Sequence, residues 1–336
     1  MSSASKLLLK LSQKLFVDPL EQTAFVEALV HPTPHQSCIL WLKPRPEVAP
    51  FTVEPPLPWQ PAFIDRLAIG TQPGLHALHA QGDYYCLDFS SVFAASVMQT
   101  LPISPTVVID ICAAPGGKGI FAARNFAQQQ LICNETISKR VGMLIGNLKR
   151  CHIHPAIALS TDPAHLALHL SQTADLAIVD APCSGQSLLA KGGQAAGCFH
   201  PLTIRQNAQR QKRILAQSAH LVAPQGYLAY MTCTFSPEEN EQVGQWFLKK
   251  FSQFKPQLVP PLAAYQSHLS ELPCYRMWPH LHPGAGAFTM LFHNTETGDR
   301  QPLPSDLWPG WRWSSVDAAP QQSVSSPVTS SLGSPG

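Results

Sequence analysis

"TVVIDICAAPGGKGIFAA", residues 106–123, sets a β-branched run against an aspartate, a glycine-punctuated loop and then a helical pattern. That succession reads as a buried strand, a tight turn and a helix that starts at once. Gly116, Gly117 and Gly119 free the backbone to turn and to approach a ligand closely. The loop is not a Walker A loop, because Cys112 stands where its first glycine belongs and Gly119 where Ser or Thr would hold magnesium. ATP hydrolysis is therefore disfavoured. "GKGIFA" does satisfy a loose GxGxxA pattern, and Glu135 follows at about the spacing of an acid that grips ribose hydroxyls. Nicotinamide and adenosyl ligands share that pattern, and a glycine turn with no ligand at all looks the same.

Outward from the loop, five apolar runs end alike. "TVVID" reaches Asp110 and Cys112, "LICNE" reaches Glu135, "AIALSTD" reaches Asp162, "LAIVDAPC" reaches Asp180 and Cys183, and "GYLAYMTC" reaches Cys233. Helical patterns separate them, so the expectation is an α/β fold with a mostly parallel sheet and helices on both faces. In such sheets the carboxyl ends of the strands line the ligand crevice, which gathers these scattered residues at one site. A dehydrogenase needs a hydride acceptor site and commonly a His or Lys acid, whereas these strand ends offer thiols and a carboxylate.

Composition bounds the rest. The chain has 336 residues, 45% of them hydrophobic and 13% charged, enough to bury a sizeable core and too apolar for global disorder. A formal net charge of +2 leaves any nucleic-acid affinity to local basic patches. The nine cysteines include no CxxC pair and no His/Cys cluster at zinc spacing, so no metal site is expected. Their odd number and the lack of a signal-like apolar segment point to free thiols in a reducing cytoplasm. Lysines interrupt "SKLLLKLSQKLF" well short of a membrane span. Three segments follow: residues 1–65, a proline-punctuated accessory domain with RNA binding as its candidate role; residues 66–297, the catalytic block; and residues 298–336, a Ser/Pro-rich tail expected to be largely disordered. The molecule is expected to act as a monomer.

Cys233 lies in "YMTCTFSPEENE" (230–241) between an apolar run and a helix start. Ser236, Pro237 and Glu239 read as an N-cap, an N1 proline and a capping-box acid. The helix carries Val243, Trp246, Phe247 and Phe251 on one face, and its N-terminus is expected to lower the pKa of Cys233. Standing alone, Cys233 would read as a buried structural cysteine.

Taken together, "DICAAPGGKG", "NETISKR", "DAPCSG", "YMTCTFSPEENE" and "HPGAGAF" resemble the successive motifs of the Sun-type (Fmu-like) RNA cytosine-5 methyltransferases, over residues 80 to 293. The resemblance implies a Rossmann-like class I methyltransferase sheet, S-adenosylmethionine as cofactor, and a single-stranded or loop cytosine of rRNA or tRNA as substrate. It implies that the Cys233 thiolate adds to carbon 6 of cytosine, which makes carbon 5 nucleophilic. Asp180 is implied at N3, and Cys183 in proton removal at carbon 5 and product release. Cys112, Ala113, Ala114, Pro115, Gly116, Gly117 and Lys118 are implied to cradle the cofactor, with Glu135 on the ribose, Asp162 near the adenine amine, and Asp180 at the same site. Neither the methyl transfer nor the elimination calls for a metal.

This chain departs from the pattern in places. Gly119 stands where the family usually has Thr or Ser, and "QSLLAKGGQAAGCFHP" replaces the usual segment after "DAPCSG". Pro283 replaces a common glycine. Lys191 is a basic residue of that altered loop with no role carried over. Lys139, Arg140, Lys149 and Arg150 read as a solvated helix face, and Arg205, Arg210, Lys212 and Arg213 as better phosphate contacts. Two other readings stand beside the favoured one: the same chemistry on DNA, and an RNA-binding assembly factor of this fold whose activity is dispensable.

Overall fold

The computed structural model describes residues 4–33, 36–128, 130–304 and 310–315. Two helices, α1 (Lys6–Leu15) and α2 (Pro19–Val30), open the described chain, and the side chains of Ser5 and Asp18 cap their first turns. Strands β1 (Ser37–Trp41) and β2 (Ile64–Arg66) follow, then a single-turn helix α3 (Ala77–Ala80) and β3 (Tyr84–Asp88). These strands form a three-stranded antiparallel sheet in the order β2-β1-β3. The expected boundary at residue 65 falls inside this sheet, whose third strand lies well beyond it.

Helix α4 (Phe89–Ser96) leads into the alternating block. It contains β4 (Val107–Asp110), α5 (Gly117–Asn125), β5 (Gln130–Asn134), α6 (Ser138–Arg150), β6 (Ala156–Leu159), α7 (Pro163–His169), β7 (Ala174–Asp180), α8 (Pro201–Leu221) and β8 (Val222–Thr232). Helix α9 (Glu241–Lys250) and strands β9 (Phe254–Pro256), β10 (Tyr275–Met277), β11 (Ala287–Asn294) and β12 (Trp311–Ser314) complete the set. The large sheet runs β10-β11-β8-β7-β4-β5-β6-β12, with β9 paired to β11. β4, β5, β6, β7 and β8 are mutually parallel, and β9, β10, β11 and β12 pair antiparallel. The doubly wound expectation holds. The chain steps from β4 out to β6, then returns to the other side of β4 for β7, so the order reverses between β4 and β7. The crevice of an open sheet forms at such a reversal.

Period-2 alternation explains why both faces are apolar. Val108 and Leu131 enter the core beneath α4 and α5, while Ile109 and Ile132 enter the one beneath α7, α8 and α9. Cys38, Leu40, Trp59 and Ile64 of the small sheet belong to the first of these cores. Helices α1 and α2 bury Leu8, Leu11, Leu15, Phe25 and Leu29 in a third cluster with Phe235 and Trp278. The tail differs in part from expectation. Trp311–Ser314 pairs antiparallel with β6, and Lys149 lies over the Trp313 ring at 5.9 Å. Residues 298–304 of the expected tail are also held, Arg300 pairing with Asp175 at 3.2 Å and Gln301 N donating to Gln172 O at 2.9 Å, while residues 305–309 and 316–336 lie outside the described residues.

Candidate active site

The parallel strands deliver their carboxyl ends to one crevice. Beyond Asp110 the backbone turns at Gly116, whose φ of +116° is a left-handed conformation that favours glycine. A side chain on Gly117 would meet Leu87 Cδ2 at 2.7 Å, so β3 packs directly on the start of α5. Lys118 turns inward, almost fully buried, and places Nζ 2.9 Å from Asp180 Oδ2. Burial opposes its charge, but Asp180 and Asp110 outweigh that and hold its pKa above the ordinary value. The loop lysine thus anchors the β7 carboxylate.

Cys183 and Cys233 meet at Sγ–Sγ 3.2 Å. The hydrogen bond between them has opposite effects on the two thiols. It raises the pKa of Cys183, helped by burial and by the charges of Cys233 and Glu239. It lowers that of Cys233, where the Lys191 charge and a Ser187 hydrogen bond assist against burial and Asp180. Of the pair, Cys233 is therefore the thiol that ionises more readily. Cys233 lies open to solvent at the floor of a crevice that crowds it on other sides. The helix-dipole account needs correction. Pro237–Glu239 is one short 3₁₀ turn, α9 starts only at Glu241, and the Ser236 side chain makes no cap bond. Ser236 Oγ instead accepts from Gln186 Nε2 at 2.7 Å. Glu239 is not a capping-box acid either: its carboxylate accepts from Ser184 and Gln211.

Beside the thiols lies a cavity of ≈ 920 Å³ lined by Cys112, Glu135, Arg140, Asp162 and Pro182 and, farther out, Arg210, Lys212, Arg213 and Trp246. Ala113, Ala114, Pro115, Gly116, Gly117 and Lys118 are not among its lining residues. Glu135 Oε1 accepts from the Ile137 amide at 2.9 Å. Its Oε2 lies 3.0 Å from Arg140 Nη1 but outside hydrogen-bond geometry, and so keeps lone pairs free within the cavity wall. Asp162 caps α7 through Ala164 N at 2.9 Å.

Sequence reasoning placed Arg140 on a solvated face. The first turn of α6 instead folds over the glycine loop, where Arg140 donates to Ala114 O and pairs with Glu135. Its position five residues after Glu135, in the first turn of α6, was the available signal. Arg210, Lys212 and Arg213 do line the cavity, whereas Arg205 does not. Lys191 pairs with Asp88 at 3.1 Å. Gln186 and Gln211 were also missed, and both are fully buried, bracing the two thiol loops. In Gln211 the signal was an amide on the apolar face of α8.

Among the described residues no group of His, Cys, Asp and Glu is arranged to hold a metal, and no helix is long and apolar enough to cross a membrane.

Comparison with known proteins bears on the fold and the family. Two solved proteins from Pyrococcus horikoshii share the fold. One is NSun6, solved with SFG, with a TM-score of 0.71, 19% identity and coverage of 87% of this chain and 99% of that one. The other, described as a methyltransferase homolog, has a TM-score of 0.65, 21% identity and coverage of 86% and 99%. The sheet is accordingly that of the class I methyltransferases. In sequence, the ribosomal RNA small subunit methyltransferase F of Cronobacter sakazakii is 29% identical over 270 residues, 77% of this chain and 55% of that protein. Its counterpart in Klebsiella pneumoniae is 28% identical over 256 residues, 74% of this chain and 54% of the other. The chain thus spans about half the length of these curated relatives. The family model for 16S rRNA methyltransferase RsmB/F matches residues 98–293, more than half of the chain and all five parallel strands of the sheet, with Asp180, Cys183 and Cys233 inside the match, and the chain belongs to that family.

Proposed function

We propose that this protein transfers a methyl group from S-adenosylmethionine to carbon 5 of a cytosine in RNA, through a covalent bond from Cys233 to carbon 6. The observation that carries the reading is the contact of the Cys233 and Cys183 thiols beside the Lys118–Asp180 pair, next to a cavity whose wall includes Cys112 and Pro182. The cavity wall fits the cofactor: the free Glu135 Oε2 suits a ribose hydroxyl, and Asp162 lies at the same wall for the adenine amine. Ala113 to Lys118, which do not line the cavity, would serve by shaping the turn. When bound, S-adenosylmethionine supplies a methyl group whose leaving group is a neutral thioether.

The chain's own residues account for the remaining steps. Cys233 adds to carbon 6 and the ring's π electrons shift toward N3 and carbon 5. The proton held between Lys118 and Asp180 stabilises N3 as charge accumulates there. Once Cys233 is bonded to carbon its negative charge is gone, and that charge is part of what keeps Cys183 protonated. Cys183 then releases its proton to solvent and takes the one from carbon 5. The carbon 5–carbon 6 double bond re-forms and Cys233 departs as thiolate.

The family points to small-subunit ribosomal RNA as the substrate class. The target base must leave its stack to reach the crevice, which favours loops or single strands. A monomer suffices, since both thiols and the cavity come from one chain. The contacting thiols suit the cytoplasm, because an oxidising compartment would join them.

The test is incubation with tritiated S-adenosylmethionine and 16S rRNA, transfer RNA or DNA, run for wild type, Cys233→Ala and Cys183→Ala on denaturing gels. Label in 16S rRNA from wild type, none from Cys233→Ala, and a protein–RNA adduct from Cys183→Ala is the expected result. A wild type that binds cofactor and RNA but labels nothing overturns the reading in favour of a binding factor.

A further inference from the structure

Glu239 is completely buried, and no lysine, arginine or histidine lies within ion-pair distance of it among the described residues. Its carboxylate is held only by neutral donors. Oε1 accepts from Ser184 N at 2.8 Å and Gln211 Nε2 at 3.1 Å, and Oε2 accepts from Ser184 Oγ at 2.6 Å. Thr234 Oγ1 lies 2.7 Å from Ser184 Oγ and 3.5 Å from Oε2, completing the ring. Two of the partners adjoin the thiols: Ser184 follows Cys183 and Thr234 follows Cys233. Gln211 also donates to Pro182 O at 3.1 Å, on the other side of Cys183.

A carboxylate buried without a cation is costly to the fold, and burial pushes its pKa above the ordinary range. Apolar packing would join two loops at less cost. A carboxylate is the group that accepts from a backbone amide, a hydroxyl and an amide side chain at once. It also adds negative charge next to Cys183, one of the causes that raise the pKa of that thiol.

We infer that Glu239 is a positioning residue that couples the Cys183 loop to the Cys233 loop, and that this coupling governs how fast the covalent intermediate is resolved. The inference rests on the methyltransferase reading for its kinetic consequence, but its geometric core is independent of it. Cys233 attacks from an open crevice floor, and the Cys183 hydrogen bond that lowers its pKa is backed by the Lys191 charge and a Ser187 hydrogen bond. Resolution needs Cys183 within reach of carbon 5 of a ring already bonded to Cys233. Loss of the clamp therefore slows release before it slows addition.

Glu239→Gln keeps the size and removes the charge and one acceptor. In single-turnover assays with 16S rRNA, the adduct should form within about threefold of the wild-type rate, whereas release slows by about tenfold or more, in line with the cost of small misplacements. Adduct then accumulates on denaturing gels, as for Cys183→Ala. A parallel fall in adduct and product overturns the inference. A second arm needs no RNA. Alkylation by iodoacetamide at pH 7, read by mass spectrometry, should modify Cys233 ahead of Cys183 in the wild type. In Glu239→Gln the ratio of the two rates should shrink about fivefold, as expected when a charge beside one thiol is lost. An unchanged ratio overturns the coupling. A ratio that shifts while wild type labels no RNA and Cys183→Ala forms no adduct upholds the coupling and sinks the methyltransferase reading instead. Should Glu239→Gln fail to fold, Ser184→Ala removes the hydroxyl half of the same clamp: the kinetic arm keeps its expected direction and its overturning result, while the alkylation ratio should stay near wild type because the Glu239 charge remains.

Discussion

Asp110 ends β4 fully buried, with Lys118 and Asp180 close by. Burial pushes its pKa up to about 7; Asp180 adds to the rise, while Lys118 and the Cys112 and Gly119 amides oppose it. In the unfolded chain the same group loses its proton near 3.8. Between those values the native protein holds a proton that the unfolded chain has lost, so stability falls as pH rises from about 4 to about 7. The loss is on the order of 4 kcal/mol if Asp110 alone is counted. Asp110→Asn should therefore gain stability relative to wild type as pH rises across that range, read by urea unfolding at pH 5 and pH 8. A difference that stays constant with pH refutes the assignment. Cys183, Cys233 and Asp180 were legible in the sequence because each sits in a short motif at a strand end. Glu239 was legible as an acid and misread in role, since nothing local to "SPEENE" reveals a partner as distant in sequence as Ser184. Arg140 was misread because helical periodicity assigns faces without saying what the first turn leans against.

Helix α9 begins with Glu241, whose carboxylate forms a two-pronged pair with Arg276 at 2.6 Å on both nitrogens. Both side chains are almost wholly buried, and Arg276 also donates to Phe235 O at 3.1 Å, two residues past Cys233. Burial alone would raise the Glu241 pKa, but Arg276 and Ser267 outweigh it and hold it below the ordinary range. This contribution to stability is present at neutral pH and lost in acid, as pH falls through the lowered value. Arg276→Met leaves a buried carboxylate unpaired and should cost about 3–5 kcal/mol. Replacing both, as Arg276→Met with Glu241→Leu, should recover much of that, and a double-mutant cycle in urea decides it. The five parallel strands were legible as elements because each is an apolar run bounded by polar residues. The start of α9 was not: the capping pattern is present in sequence, but Glu239 is drawn away by Ser184 and Gln211, so the turn stays 3₁₀ and the helix begins later.

Across the whole molecule, the N-terminal helices reach the centre of the chemistry. Phe25 meets Phe235 edge-on at 5.1 Å and Trp278 at 6.0 Å, and Lys14 pairs with Glu238. Phe25→Ala should cost about 3–5 kcal/mol and loosen the loop that carries Cys233, so thermal stability and methylation should fall together. A variant that loses stability but methylates at the wild-type rate when still folded would show that the loop does not depend on this contact. The sequence divided the chain into modules by composition, which does not report docking. Neither the third strand of the small sheet nor the aromatic contact with Phe235 has a local signature. The same is true of "WRWS", whose polar surroundings gave no reason to expect a strand. That strand, β12, covers the outer flank of β6 with the far end of the described chain. Without it, β6 would present a row of unsatisfied amides and carbonyls, a template on which a second molecule's β6 can dock. Deleting residues 298–336 should therefore leave the fold intact but make it sticky, with light scattering showing concentration-dependent assembly, so the end of the sheet acts as a guard against self-association.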